Sequence, residues 1–112
     1  MPKNEKNPIV TPSSGNVFAD LGFADAEERK TKVRLAFAIN QILERRRLRQ
    51  AVAARHLGIN QPKVSALANY RLEGFSVERL MRFLNALGRD VEIVIRSKPR
   101  SRRVARIIVT VA

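Results

Sequence analysis

The chain has no cysteine and a single histidine, His56. Without thiols there is no disulfide framework and no thiolate zinc site. One imidazole excludes clustered histidine chemistry. Acidic side chains are scarce: 10 Asp and Glu stand against 22 Lys and Arg. No apolar run approaches the roughly 20 residues that a membrane helix needs. Residues 1–7 lack the hydrophobic stretch of a secretory signal. There is no Gly-rich phosphate loop, and no nucleophile–base pair suggests itself. The expectation is therefore a cytoplasmic protein that is not an enzyme and uses neither cofactor nor metal ion. What is present is positive charge: 112 residues carry a formal net charge of +12, with a pI near 11.6. That length suits one domain with a modest core, and 45% apolar content argues against wholesale disorder. Charge of this size points to a polyanion, whether DNA, RNA or an acidic membrane surface.

Residues 1–15, with Pro2, Pro8, Pro12 and Ser13-Ser14-Gly15, read as a flexible arm. Asn16–Phe23 is a short apolar cluster expected to dock on the body, with Gly22 as a breaker. Asp25 is placed to cap a helix over about 25–47, whose apolar positions Leu35, Ala36, Ile39, Ile42 and Leu43 follow helical spacing. The spacing predicts further helices over about 50–57, ended by Gly58, over about 61–69, capped by Asn60, and over about 77–87, capped by Ser76 and closed by Gly88. The period then changes. Val91, Ile93 and Ile95 alternate with Glu92, Val94 and Arg96, a strand signal, and Ile107–Val111 reads as a second strand. The five phenylalanines are expected in the core. The domain boundaries that follow are 1–15 for the arm, 16–96 for the folded domain, and 97–112 for a basic linker and second strand.

The informative stretch is Gln50–Asn69. Two helices crossing steeply over a tight turn need a small residue at the crossing, which Ala54 supplies, and a residue tolerant of positive φ, which Gly58 supplies. Ala53, Leu57, Ile59, Val64 and Leu67 close the corner from both sides. The polar residues left on the later helix are Gln61, Lys63, Ser65 and Asn69. Gln pairs with adenine, Lys with guanine or a phosphate, and Ser with either base type. Between Arg45 and Arg71 there are seven basic residues and no acidic one.

These residues resemble the Cro/repressor-type helix-turn-helix of the XRE family. The resemblance rests on Gln50, the Leu57-Gly58-Ile59-Asn60-Gln61 turn, and the flanking Asn16–Phe23, Phe75–Leu80 and Val91–Ile95 segments. Those flanks are similar to the small HigA-like antitoxins of type II toxin–antitoxin pairs. The resemblance covers about residues 16–96. Ala51 and Val52 depart from it by replacing acidic residues, and the tail from Ser97 lies outside it. It implies a mainly α, lambda-repressor-like bundle of four to five helices with one or two C-terminal β-strands. It also implies a DNA-binding repressor, an antitoxin that represses its own operon beside a cognate toxin. A stand-alone phage-type repressor shares the same core. A protein-interaction adaptor using the same corner, or RNA binding driven by charge alone, are readings of other classes.

On this reading the helix opening at Gln61 enters the major groove of double-stranded DNA, with Gln61, Lys63, Ser65 and Asn69 toward the bases. Arg49, Gln50, Arg55, Asn60 and Arg71 face phosphates, and Lys63 fits a phosphate contact as well as a base. One helix reads too few base pairs for an operator, so a homodimer on a palindrome, with half-sites about 34 Å apart, is expected. A lone Val91–Arg96 strand leaves an unpaired edge. It fits pairing with residues 104–111 of its own chain or with a second chain. A strand-mediated dimer through Val91, Ile93 and Ile95 is the reading favoured.

Overall fold

The computed structural model describes residues 15–112, with side chains from Ala24 onward. Of the arm expected over 1–15, residues 1–14 lie outside the described residues and Gly15 opens a helix. Four helices follow in order: α1 (Gly15–Arg45), α2 (Gln50–Leu57), α3 (Gln61–Ala68) and α4 (Val77–Ala86).

α1 departs from the expected start. Its backbone is helical from Gly15, so Gly22 does not break it and Asp25 sits inside it rather than capping it. A lone glycine costs a helix only about 1 kcal/mol relative to alanine, which a 31-residue helix absorbs. The half of α1 that meets the core begins at Thr31, whose hydroxyl donates to the Glu27 carbonyl at 2.9 Å. From there Leu35, Ala36, Ile39, Ile42 and Leu43 form a buried stripe.

The core joins that stripe to Ala53 and Leu57 of α2, Val64 and Leu67 of α3, and Leu80, Phe83 and Leu84 of α4. Ile39, Leu67, Leu80 and Leu87 are its most enclosed large side chains. Phe75 and Phe83 meet edge to face, 5.8 Å between centroids. Phe37 was expected in the core but is 51% exposed, because it falls on the flank of α1 away from the stripe. Phe18 and Phe23 lie outside the described side chains.

Two polar side chains, Asn40 of α1 and Arg46 just after it, reach the other helices. The buried Asn40 amide donates to the Leu67 carbonyl at 3.1 Å, and the Arg46 guanidinium donates to the Leu87 carbonyl at 2.7 Å. Both acceptors belong to helix C-terminal turns, whose last carbonyls have no partner within the helix. The end of α1 and the residue after it thus bond to the C-terminal ends of α3 and α4.

The C-terminal β-strands are not there: among the described residues the chain is four helices with no strand, and residues 89–112 have no regular secondary structure. The turn at Pro99–Arg102 does reverse the chain, with the Arg102 N–H donating to the Pro99 carbonyl at 3.2 Å. No backbone hydrogen bond joins the two β-branched segments on either side of it. Alternation and β-branching favour a strand only where a partner supplies the ladder. Here Val91 and Val109 lie against the helical core, while Ile93 and Ile95 are left 75% and 92% exposed.

Candidate nucleic-acid interface

α2 and α3 meet through a turn that the sequence dictates. Gly58 adopts φ 71°, ψ 33°, the left-handed region. An added Cβ there would meet nothing within 4 Å, so glycine answers the backbone angle and not crowding. Asn60 then opens α3, its side-chain oxygen accepting from the Lys63 N–H at 2.9 Å, with Pro62 in the first turn. Val64 and Leu67 pin one face of α3 to the core.

Beside that face run Gln61, Ser65 and Asn69, which succeed one another at four-residue spacing. Gln61 is exposed at the N-terminus and Ser65 is half-buried. The Asn69 amide turns back to the Ser65 carbonyl at 2.9 Å and its hydroxyl at 3.5 Å, closing the helix end. Lys63 stands about 200° around the axis from Gln61. Its ammonium lies 5.4 Å from the centroid of the Phe75 ring, toward the α3–α4 loop.

Gln50 is the first residue of α2 and is exposed. The preceding Arg49 makes no side-chain capping bond, so the first N–H groups of α2 stay open to an anion, where the helix dipole favours one. Arg49, Arg55, Asn60 and Arg71 are exposed. Arg46, in the same basic run, is committed to the Leu87 carbonyl. His56 is exposed on α2, and the described residues hold no cluster of three or more metal-ligating side chains. Of the residues assigned to dimerisation, Val91 rests on the protein's own core, whereas Ile93 and Ile95 face outward.

Sequence reasoning passed over Tyr70. It stands just after α3, 41% exposed, with φ 58°. With Arg47 and Gln50 it lines a hollow of about 230 Å³ between the end of α1, the start of α2 and the end of α3. Its signal is a backbone angle, and no residue pattern announces that a tyrosine will occupy it.

A helix-turn-helix domain family model matches residues 17–96. A solved structure whose name assigns it to the XRE family of transcriptional regulators is 72% identical, with a TM-score of 0.76. The match covers 79% of this chain and 99% of that one. The chain belongs to the XRE-type helix-turn-helix family. No curated protein matches it. This XRE-type chain is by family a DNA-binding regulator and not an enzyme. No described helix is long and apolar enough to cross a membrane.

Proposed function

We propose that this protein is a homodimeric, sequence-specific repressor acting in the cytoplasm on a palindromic operator. The observation that carries this is that α3 is held to the core by Val64 and Leu67 and leaves Gln61 exposed at its N-terminus, with Ser65 one turn on. Gln61 and Ser65 take the bases, with Asn69 closing the reading face. Lys63, leaning on Phe75, suits a phosphate better than a base. Arg49, Gln50, Arg55, Asn60 and Arg71 grip the backbone on either side.

A bidentate amide–adenine pair is worth about 1–3 kcal/mol of discrimination. Gln61→Ala is expected to reduce the preference for the operator over a scrambled duplex by roughly ten-fold or more, while Arg49→Ala weakens both duplexes alike. A gel shift on the gene's own upstream palindrome measures this. A Gln61→Ala protein with unchanged affinity and specificity would sink the assignment.

The second copy is supported by the exposed C-terminal isoleucines. Side chains as open as Ile93 and Ile95 gain roughly 25 cal/mol per Å² when covered. Ile93→Asp with Ile95→Asp should leave the melting temperature of the helical body nearly unchanged. Sedimentation should then show a monomer with much weaker operator binding. A variant that sediments as the wild type does would place the dimer contact elsewhere.

The likeness to HigA-like antitoxins supports the finer reading that the operon encodes a toxin as well. Co-purification with the product of an adjacent small reading frame tests it.

A further inference from the structure

The positive charge is unevenly placed along the chain. Residues 93–112 hold six of the 22 Lys and Arg and none of the 10 Asp and Glu, and so carry half of the formal charge of +12. The helix-turn-helix match stops at residue 96. Five of those six cations lie beyond it, in a part of the chain that α2 and α3 do not explain.

This segment has a definite form. Val91 and Val109 pack against the helical core. The chain between them runs out, reverses at Pro99–Arg102 and returns. Toward the two anchors the side chains are apolar, with Ile93 and Ile95 on the outward leg and Ile107 and Ile108 on the return. The cations gather around the turn. Two of them hold its shape. The Lys98 ammonium donates to the Arg102 carbonyl at 2.6 Å and to the Pro99 carbonyl at 3.3 Å. The Arg102 guanidinium donates to the Val104 carbonyl at 3.3 Å. The other four, Arg96, Arg100, Arg103 and Arg106, are exposed. None of the ion pairs among the described residues involves them. Like charges set so near one another in the chain repel, and a row of phosphates neutralises them together.

We propose that this basic turn is a second contact to duplex DNA, laid on the phosphates that flank the site read by α3. The inference rests on the reading that α2 and α3 bind duplex DNA. Once they are bound, the flanks are a tethered polyanion, presented to the turn at high effective concentration. Arg100 lies nine residues along the chain from Val91, so the turn reaches no more than about 30 Å from that anchor. That is roughly nine base pairs of duplex at about 3.4 Å each. The contact is to the backbone, so it adds affinity without adding sequence preference.

The test compares the full chain with a triple variant, Arg100→Gln, Arg103→Gln and Arg106→Gln. Two duplexes are used across a salt titration: the upstream palindrome alone, and the same palindrome with about 10 random base pairs added at each end. The wild type is expected to bind the longer duplex roughly ten-fold more tightly, with a log–log salt slope steeper by up to about 2.7 per copy. The triple variant is expected to match the wild type on the short duplex and to gain nothing from the flanks. Arg100→Lys with Arg103→Lys and Arg106→Lys keeps the gain, because a point charge suffices for a phosphate. Melting temperature and sedimentation should be the same for all three proteins, since the replaced side chains are exposed and outside the core.

A wild-type protein that binds both duplexes alike overturns the proposal, as does a glutamine variant that keeps the flank gain. A variant that binds DNA normally but no longer captures poly-glutamate assigns the turn to an acidic protein instead. Loss of binding in the lysine variant as well, with a lowered melting temperature, makes the turn a structural element and also overturns it. A wild-type protein that does not discriminate the palindrome from scrambled sequence, yet gains from added length only with its arginines in place, defeats the operator reading and leaves the second contact standing. Discrimination retained, with the glutamine variant matching the wild type on both duplexes, does the reverse.

Discussion

Leu67→Ala is expected to lower the free energy of unfolding by roughly 3–5 kcal/mol, a large share of the about 5–15 kcal/mol available to a domain. Leu67 is fully buried, among the most enclosed large side chains of the core, and sits on α3 itself. Truncating it leaves a void in the shared core that neighbours fill only in part. Its backbone carbonyl also receives the Asn40 amide, so any sag of α3 into the void loosens a buried hydrogen bond as well. Urea denaturation followed by circular dichroism measures the change, and DNA binding should fail in step with folding. A loss below about 1 kcal/mol would mean that α3 is not held as described.

Duplex binding is expected to collapse with salt. Arg49, Arg55 and Arg71 are exposed around α2 and α3. If each neutralises one phosphate in both subunits of a dimer, the log–log slope lies near −5, at about −0.9 per contact. Between 50 and 200 mM salt the affinity then drops roughly a thousand-fold. Fluorescence anisotropy with a scrambled duplex reads this directly, because phosphate contacts do not depend on sequence. A slope shallower than about −2 would mean that these arginines point into solvent and that the positive charge serves another purpose.

Much of the helical domain was legible because its signals are local. Helical spacing gave the stripe from Leu35 to Leu43, Gly58 marked the turn, and Asn60 and Ser76 cap α3 and α4 through the N–H groups of Lys63 and Arg79. The start of α1 was misread for a physical reason. Gly22 and Asp25 are breaking and capping residues only where the chain leaves the helix, and nothing local compels it to leave there. The C-terminal strands failed for a different reason. The β-branched residues around Ile93 and Ile108 state a preference, but a ladder is made by two segments together. At the candidate interface, spacing sufficed to expect Gln61 exposed at the start of α3. Tyr70 could not be found that way, because its interest lies in an angle that its neighbours impose.

On α3, the residues that hold the helix and those proposed to read DNA are largely separate sets. Val64, Leu67 and the Asn40 bond secure it, while Gln61 is exposed and takes no part in that attachment. If Gln61 reads the bases as proposed, a lineage can exchange it for another polar residue and acquire a new operator at little cost to folding. Asn69 and Lys63 lack that freedom, since one closes the helix end and the other lies over Phe75. Divergence of target among relatives should run fastest at position 61 and slowest at position 69.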